Sequence, residues 1–407
     1  MNRKGNRRPE IVAPAGNLEK LRFAALYGAD AVYFGGGDFN LRVRSDNFSM
    51  DDIEKALLLC RSRGVQSVFL LNSHLHENDI PRARSLIDTV RRMKVDAIMI
   101  SDPGMMMLLR DAGIESKIHL STQMSTLNHL SVRFWQGAGV DRIVLARETT
   151  LEEIRMIREN CDAEIEVFVH GALCIAYSGR CLLSRHLTGR DANLGDCSQS
   201  CRWRYSIVEE SRHGAHLDVI EHAAGTEILS SMDLCLIGRI AEYVDAGVDA
   251  FKIEGRMKSL YYTANTTRIY RYAVEGAAAG DLARRLPFCR RELDLVSHRP
   301  YAEELFGESG AVDAAGNAYV QKALFLGYRA GPGVNGGAII RAFNPLYRGE
   351  TIEAIFPIDG PVKDGRFTIA DIRGPDGSPT ETATPGGLWQ IVFDRDMDED
   401  AILRRLL

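Results

Sequence analysis

No stretch of this 407-residue chain approaches the ~18 consecutive apolar residues that a membrane-spanning helix requires. An excess of positive charge is also lacking. The 50 Lys and Arg against 55 Asp and Glu leave a net charge of −5, which excludes a uniformly basic nucleic-acid binder but leaves room for local basic patches. The start, MNRKGNRRPE, carries Arg3, Lys4, Arg7 and Arg8 with no apolar segment behind them, so it reads as a solvated or RNA-touching tail and not as a secretory signal. Missing too are any Cys-x2-Cys pair, a Gly-x-Ser-x-Gly elbow and a His-Glu-x-x-His helix. The first absence argues against a zinc ribbon and a bacterial ferredoxin run, and the other two exclude particular hydrolase families. The expected setting is a reducing cytoplasm with no membrane attachment, where the eight cysteines are thiols or metal ligands and not disulfides.

What is present is an ordinary globular composition, 45% hydrophobic and 26% charged, long enough for two or three domains. Up to about residue 170 the chain alternates amphipathic helices with short, β-branched apolar runs. Candidate strands are Glu10–Val12, Ala31–Phe34, Ser67–Leu71, Ala97–Ile100, Lys117–Leu120, Arg142–Leu145 and Ile165–Val169, with two more near Glu227–Ser230 and Ala250–Ile253. Their near-continuous apolar character predicts parallel strands buried on both faces. Helix-to-strand junctions echo one another as Gly28-Ala29-Asp30, Gly139-Val140-Asp141 and Gly247-Val248-Asp249, with a weaker Val95-Asp96. Glycine there suits the left-handed residue that closes a helix. Asn17 and Thr150 are expected N-caps, the latter in a capping box with Glu153. The repetition predicts an α/β fold, a TIM-like (β/α) barrel, with nine strand candidates for eight places.

The expected organisation is a barrel over residues 1–290, interrupted by a cysteine-bearing insertion at about 171–224. A connection follows at 291–317, and a small β-barrel domain at 318–407, marked by runs at Ala338–Ala342 and Thr351–Phe356. That small domain either binds RNA or braces the larger one. In a (β/α) barrel the residues after each strand meet at one mouth, which here predicts a pocket. Cys174, Cys181, Cys197, Cys201 and Cys235 cluster in the insertion and just beyond it. Four thiolates from this set suit a 4Fe-4S cluster or a zinc ion, and the spacing also allows no metal at all.

The stretch Glu166-Val-Phe168-Val-His170-Gly171-Ala-Leu-Cys174-Ile-Ala-Tyr177-Ser178-Gly179-Arg180-Cys181 resembles the signature of the U32 peptidase family. Blocks at Ala13–Asn17, Tyr27–Gly36, His119–Gln123, Leu145–Glu148, Ser231–Cys235, Lys252–Lys258 and Asn344–Glu350 extend the resemblance over nearly the whole chain. After Tyr301 the connection departs from the family pattern. The resemblance implies an iron-sulfur protein serving oxygen-independent hydroxylation. Length and the small β domain are most similar to the branch that makes 5-hydroxyuridine at the tRNA wobble position with prephenate as co-substrate. Branches acting on a ribosomal RNA cytidine, and a true collagenase-like peptidase, are the alternatives. Carried over by position, the implied cluster ligands are Cys174, Cys181, Cys197 and Cys235, with Cys201 a substitute or neighbour.

Chemistry then assigns the remaining side chains. Arg147, Lys252 and Arg256 would fix a small dicarboxylate, since guanidinium binds carboxylate in bidentate fashion. Glu148, Glu254 or His170 would move protons, while Asn72, Ser121 and Gln123 would orient the base or donor. A salt bridge between Glu254 and Arg256 is the structural alternative. Arg180, Arg185, Arg202 and Arg204, with Trp203, would grip the anticodon loop through phosphates and an unstacked base. For a peptidase, His170 and Cys174 are the only obvious nucleophilic pair, since Cys60 and Cys161 read as core residues.

Overall fold

The computed structural model describes residues 8–41, 47–174, 176–200, 207–208, 216–217, 220–222, 225–227, 232–303, 319–334 and 337–407. Eight parallel strands close on themselves: β1 (Glu10–Pro14), β2 (Ala31–Phe34), β3 (Gln66–Leu71), β4 (Ala97–Ile100), β5 (Lys117–Leu120), β6 (Arg142–Val144), β7 (Glu164–Ala172) and, after β8 (Asp233–Cys235), β9 (Ala250–Ile253). The last of these pairs with both β1 and β7, completing the expected TIM-like barrel. β8 lies outside it, antiparallel to the end of β7. The surplus candidate is resolved by the segment near Glu227. Gly225–Glu227 pairs antiparallel with Ile220–His222 in a hairpin of its own, and Ser230 falls outside the described residues.

Helices α1 (Leu18–Leu26), α2 (Met50–Arg63), α3 (Ile80–Met93), α4 (Pro103–Asp111), α5 (His129–Gly137) and α6 (Leu151–Asn160) follow strands β1 to β6 in turn. The short α7 (Leu183–Thr188) lies in the insertion, and α8 (Ile240–Asp245), α9 (Leu260–Ala279) and α10 (Leu282–Asp294) complete the layer. α3 buries one stripe, Ala83, Ile87 and Val90, whereas α9 is buried all round from Leu260 to Arg271. Asn17 caps α1 by accepting from Lys20 N, and Thr150 with Glu153 forms the expected box on α6.

The recurrent Gly-x-Asp junctions have a definite job. Gly28, Gly139 and Gly247 hold φ of 103°, 91° and 80°, and Lys94 takes the same left-handed turn at 53° before Asp96. The aspartate that follows then bridges two strands. Carboxylates of Asp30, Asp96, Asp141 and Asp249 accept from the backbone N–H of Ile11, Ser67, Ile118 and Ile165 at 2.7–2.8 Å. Their own carbonyls accept from Gln66, Lys117, Glu164 and Glu10, the first residues of the next strands. These contacts sit at the rim opposite the mouth.

Inside the barrel lies a charged layer. Arg142, 2% exposed, is bound by Glu10 at 2.8 Å and Glu164 at 2.6 Å, and Glu166 bridges toward it from Lys252. Such buried charges persist only when paired. The small domain is a closed antiparallel barrel of six strands: β10 (Ala323–Pro332), β11 (Ala338–Ala342), β12 (Thr351–Ile355), β13 (Gly365–Arg373), β14 (Leu388–Phe393) and β15 (Ile402–Leu406). It is bolted to the helical layer. Glu292 of α10, fully buried, receives Arg404 from β15 at 2.7 Å and Arg268 from α9 at 2.9 Å, while Arg268 also reaches Asp364 at 2.7 Å.

Candidate active site

Strand ends build the site. Asn72 follows β3, Ser121 and Gln123 follow β5, Arg147 follows β6, Lys252 lies in β9, and Glu254 and Arg256 follow it. With Tyr33, Phe168 and the cysteine segment they enclose a cavity of about 250 Å³ at the barrel mouth. All six residues expected to bind substrate line this cavity.

Each is held by a specific partner. Lys252 Nζ sits 2.7 Å from Glu166 and 4.4 Å above the Tyr33 ring. Burial lowers its pKa, with Glu166 opposing that shift. The Arg147 guanidinium stacks on Phe168 at 3.9 Å and approaches Glu254 at 3.8 Å. Arg256 does not pair with Glu254 in the anticipated bridge; its Nη1 and Nη2 donate to Asn40 and Asn47 at 3.0 and 2.9 Å. Arg147 is thus the guanidinium that faces both the cavity and its carboxylate. Glu166, Tyr33 and Phe168 escaped sequence reasoning. A period-2 reading of β7 already puts Glu166 and Phe168 on one face, and that was the available signal.

Two of the three expected proton carriers lie elsewhere. His170 is a correction. The register of β7 against β9 runs Phe168 opposite Lys252 and then His170 opposite Ile253, so one residue bulges out and the strand's facing is inverted. His170 therefore turns away from the cavity into a box of Tyr262, Tyr270 and Tyr301, with Nδ1 3.3 Å from the Tyr270 hydroxyl. Burial, with the charges of His298 and Lys258, drives its pKa down to about 3. No His170–Cys174 dyad forms. Glu148 is the second correction: it is absent from the cavity wall, and its carboxylate accepts from both N and Oγ of Ser178. Glu254 alone of the three lines the cavity.

Cys174, Cys181 and Cys197 also line this cavity. Burial raises the Cys174 pKa, and the nearby Cys181 and Cys197 thiols add to that. Cys235 does not join them. It lies on β8 opposite His170, its thiol 3.9 Å from the Tyr270 hydroxyl, and burial pushes its pKa up to about 11. The same inverted facing that removes His170 accounts for this. Among the described residues, no three His, Cys, Asp or Glu side chains already stand at metal-binding distance. The soft donor set still fits a thiolate-held group at Cys174, Cys181 and Cys197, whose sulfurs share one cavity; Cys201 lies outside the described residues. Cys60, Cys161 and Cys289 are buried in the helical layer, as core residues should be.

Of the proposed RNA contacts, Arg202, Trp203 and Arg204 lie outside the described residues. Arg180 is exposed but anchored through Nε to the Gln123 carbonyl at 2.6 Å, and Arg185 on α7 pairs with Asp191 at 3.1 Å. Arg190, nearer the thiols, holds Asp196 at 2.8 Å and the Cys197 carbonyl at 3.2 Å.

Fold and site together define a (β/α)-barrel protein with a mouth pocket lined by both cations and thiols. The family is equally definite: a model of peptidase family U32 matches residues 16–314, and the chain belongs to that family. The Bacillus subtilis tRNA hydroxylation protein P1 is 39% identical over 74% of this chain and 68% of its own. The Escherichia coli tRNA hydroxylation protein P is 37% identical, covering 73% and 74%. The E. coli 23S rRNA 5-hydroxycytidine C2501 synthase is 39% identical over 68% of this chain but only 41% of its own length. Among the described residues no helix is long and apolar enough to cross a membrane.

Proposed function

We propose that this protein is an RNA-modifying enzyme that hydroxylates tRNA, converting the wobble uridine to 5-hydroxyuridine with prephenate as co-substrate and without molecular oxygen. One observation carries the reading: three thiols and the cations Lys252 and Arg147 converge on a single cavity at the barrel mouth. The names of the two tRNA hydroxylation relatives support tRNA as substrate. Replacing C5–H by C5–OH with oxygen at the water level releases two protons and two electrons, so a redox group at the site would pass the electrons to an external acceptor while the cations hold the anionic co-substrate. A 4Fe-4S cluster held by Cys174, Cys181 and Cys197 would supply electron transfer there. Zinc is the alternative occupant of the same thiols.

The chain's own residues do the rest. Arg147, flattened on Phe168, presents a planar fork to a carboxylate, and Lys252 adds a second positive charge deeper in the cavity. Glu254, beside Arg147, is the carboxylate placed to hold or release a proton. Gln123 and Asn72 orient the bound ring by hydrogen bonding. At the rim, Tyr177, 49% exposed, offers a stacking face to an unpaired base, with Arg185 for its phosphate. The peptidase alternative is disfavoured because His170 faces away from Cys174.

Nucleoside mass spectrometry of tRNA from a strain lacking this gene and any redundant route tests the reading. Loss of 5-hydroxyuridine derivatives, restored by the wild-type gene and not by Cys174→Ala, is expected; unchanged nucleosides would sink it. Anaerobic purification with iron and sulfide analysis decides the metal, and stoichiometric zinc without sulfide would replace the cluster.

A further inference from the structure

Glu148 was a candidate proton carrier, yet both its oxygens are engaged by one residue. Ser178 N donates at 2.7 Å and Ser178 Oγ at 2.5 Å. Ser178 lies between Cys174 and Cys181, is 1% exposed, and adopts φ 44° and ψ 35°, a left-handed conformation that non-glycine residues rarely take. A side chain that pays for such a backbone needs compensating contacts. A second tie lies two residues on, where Arg180 donates to the Gln123 carbonyl. The loop between the two thiols is therefore fastened to the ends of β5 and β6. Its neighbour Arg147 points into the cavity from the same turn.

We propose that Glu148 is a positioning residue: it clamps the Cys174–Cys181 loop across the barrel mouth so that these thiols converge for a metal group, and it transfers no proton. The half of this statement that concerns the metal rests on the function proposed above. The clamp itself does not, so the test has two readouts.

In the metal-free, chelator-treated full chain, iodoacetamide labelling is followed site by site by peptide mass spectrometry. Glu148→Ala is expected to raise the labelling rates of Cys174 and Cys181 at least about fivefold, since a charge-assisted tie is lost. Buried Cys60 should stay unlabelled, reporting an intact barrel. Glu148→Gln, which keeps one carbonyl oxygen for Ser178 N–H, should give an intermediate rate. Unchanged rates at Cys174 and Cys181 in Glu148→Ala would overturn the clamp. If Glu148→Ala fails to fold, Ser178→Ala removes only the hydroxyl half of the tie and must still raise labelling; wild-type rates there overturn it equally. In anaerobically purified protein, iron and sulfide should fall below about half of wild type in Glu148→Ala and recover in Glu148→Gln. Full iron retention in Glu148→Ala, with iron-loaded wild type, overturns the metal half. A wild type devoid of iron refutes the cluster reading while leaving the labelling result to decide the clamp.

Discussion

The His170 imidazole is neutral throughout the physiological range, because burial holds its pKa near about 3 while an unfolded histidine titrates near about 6.5. Below about pH 6.5 the unfolded chain therefore binds a proton that the native chain refuses, and stability falls as pH drops. Replacing His170 with Phe should flatten that fall by up to about 1.4 kcal/mol per pH unit between roughly pH 6 and 4. Urea midpoints measured across that interval check it, and parallel slopes for wild type and variant would refute it. His119, whose pKa burial also drives down, with Arg142 and Lys252 adding to the shift, still contributes the same trend in the variant. On the proposed function, in which the cavity takes prephenate, Arg147→Lys should weaken its binding by roughly tenfold, since an ammonium cannot reproduce a stacked, planar guanidinium fork. Calorimetric titration reads this directly, with Arg185→Ala as the control expected to bind normally. Most cavity residues were legible because strand ends of a (β/α) barrel converge. His170 and Cys235 were misread because a single bulged residue between Phe168 and His170 reverses facing, and no pattern in Val167–Gly171 announces it.

At the level of elements, Asp141 and its three counterparts carry a checkable energy. Asp141→Ala leaves the Ile118 N–H without its carboxylate and should cost about 1–3 kcal/mol in urea denaturation. Affinity for the proposed co-substrate should be unchanged, since this rim lies opposite the cavity. Strands were readable because their apolar, β-branched runs are confined to the sheet, and the left-handed closures at Gly28, Gly139 and Gly247 were readable from glycine itself. The carboxylate bridges were not, since they join residues 19 to 84 positions apart. The segment near Glu227 shows the opposite failure: β propensity is genuine there, but the strand pairs locally with Ile220–His222 and never enters the barrel.

The two barrels of the whole molecule share one buried ionic joint. Glu292 accepts from Arg404 and Arg268, and these contacts outweigh burial to hold its pKa below the usual carboxylate range. Glu292→Ala would leave Arg268 with Asp364 and Arg404 with Glu353 as their remaining carboxylate partners, and the lost charge-assisted hydrogen bonds should cost about 1–3 kcal/mol. Calorimetry should show the unfolding of the small barrel separating from that of the large one; a single, unshifted transition would contradict this. The joint supports a bracing role for the six-stranded domain, which packs against the helices and, among the described residues, contributes none to the cavity wall.

The four rim aspartates also bear on how the chain finds its fold. Because each binds the strand before its own with its carboxylate and the strand after its own with its carbonyl, Asp30, Asp96, Asp141 and Asp249 form a continuous hoop in which the starts of β1, β3, β5 and β7 are each specified twice. A strand that slips by one residue forfeits a tie on each side besides reversing its faces. In the closed barrel the hoop thus favours the correct shear over its one-residue neighbours.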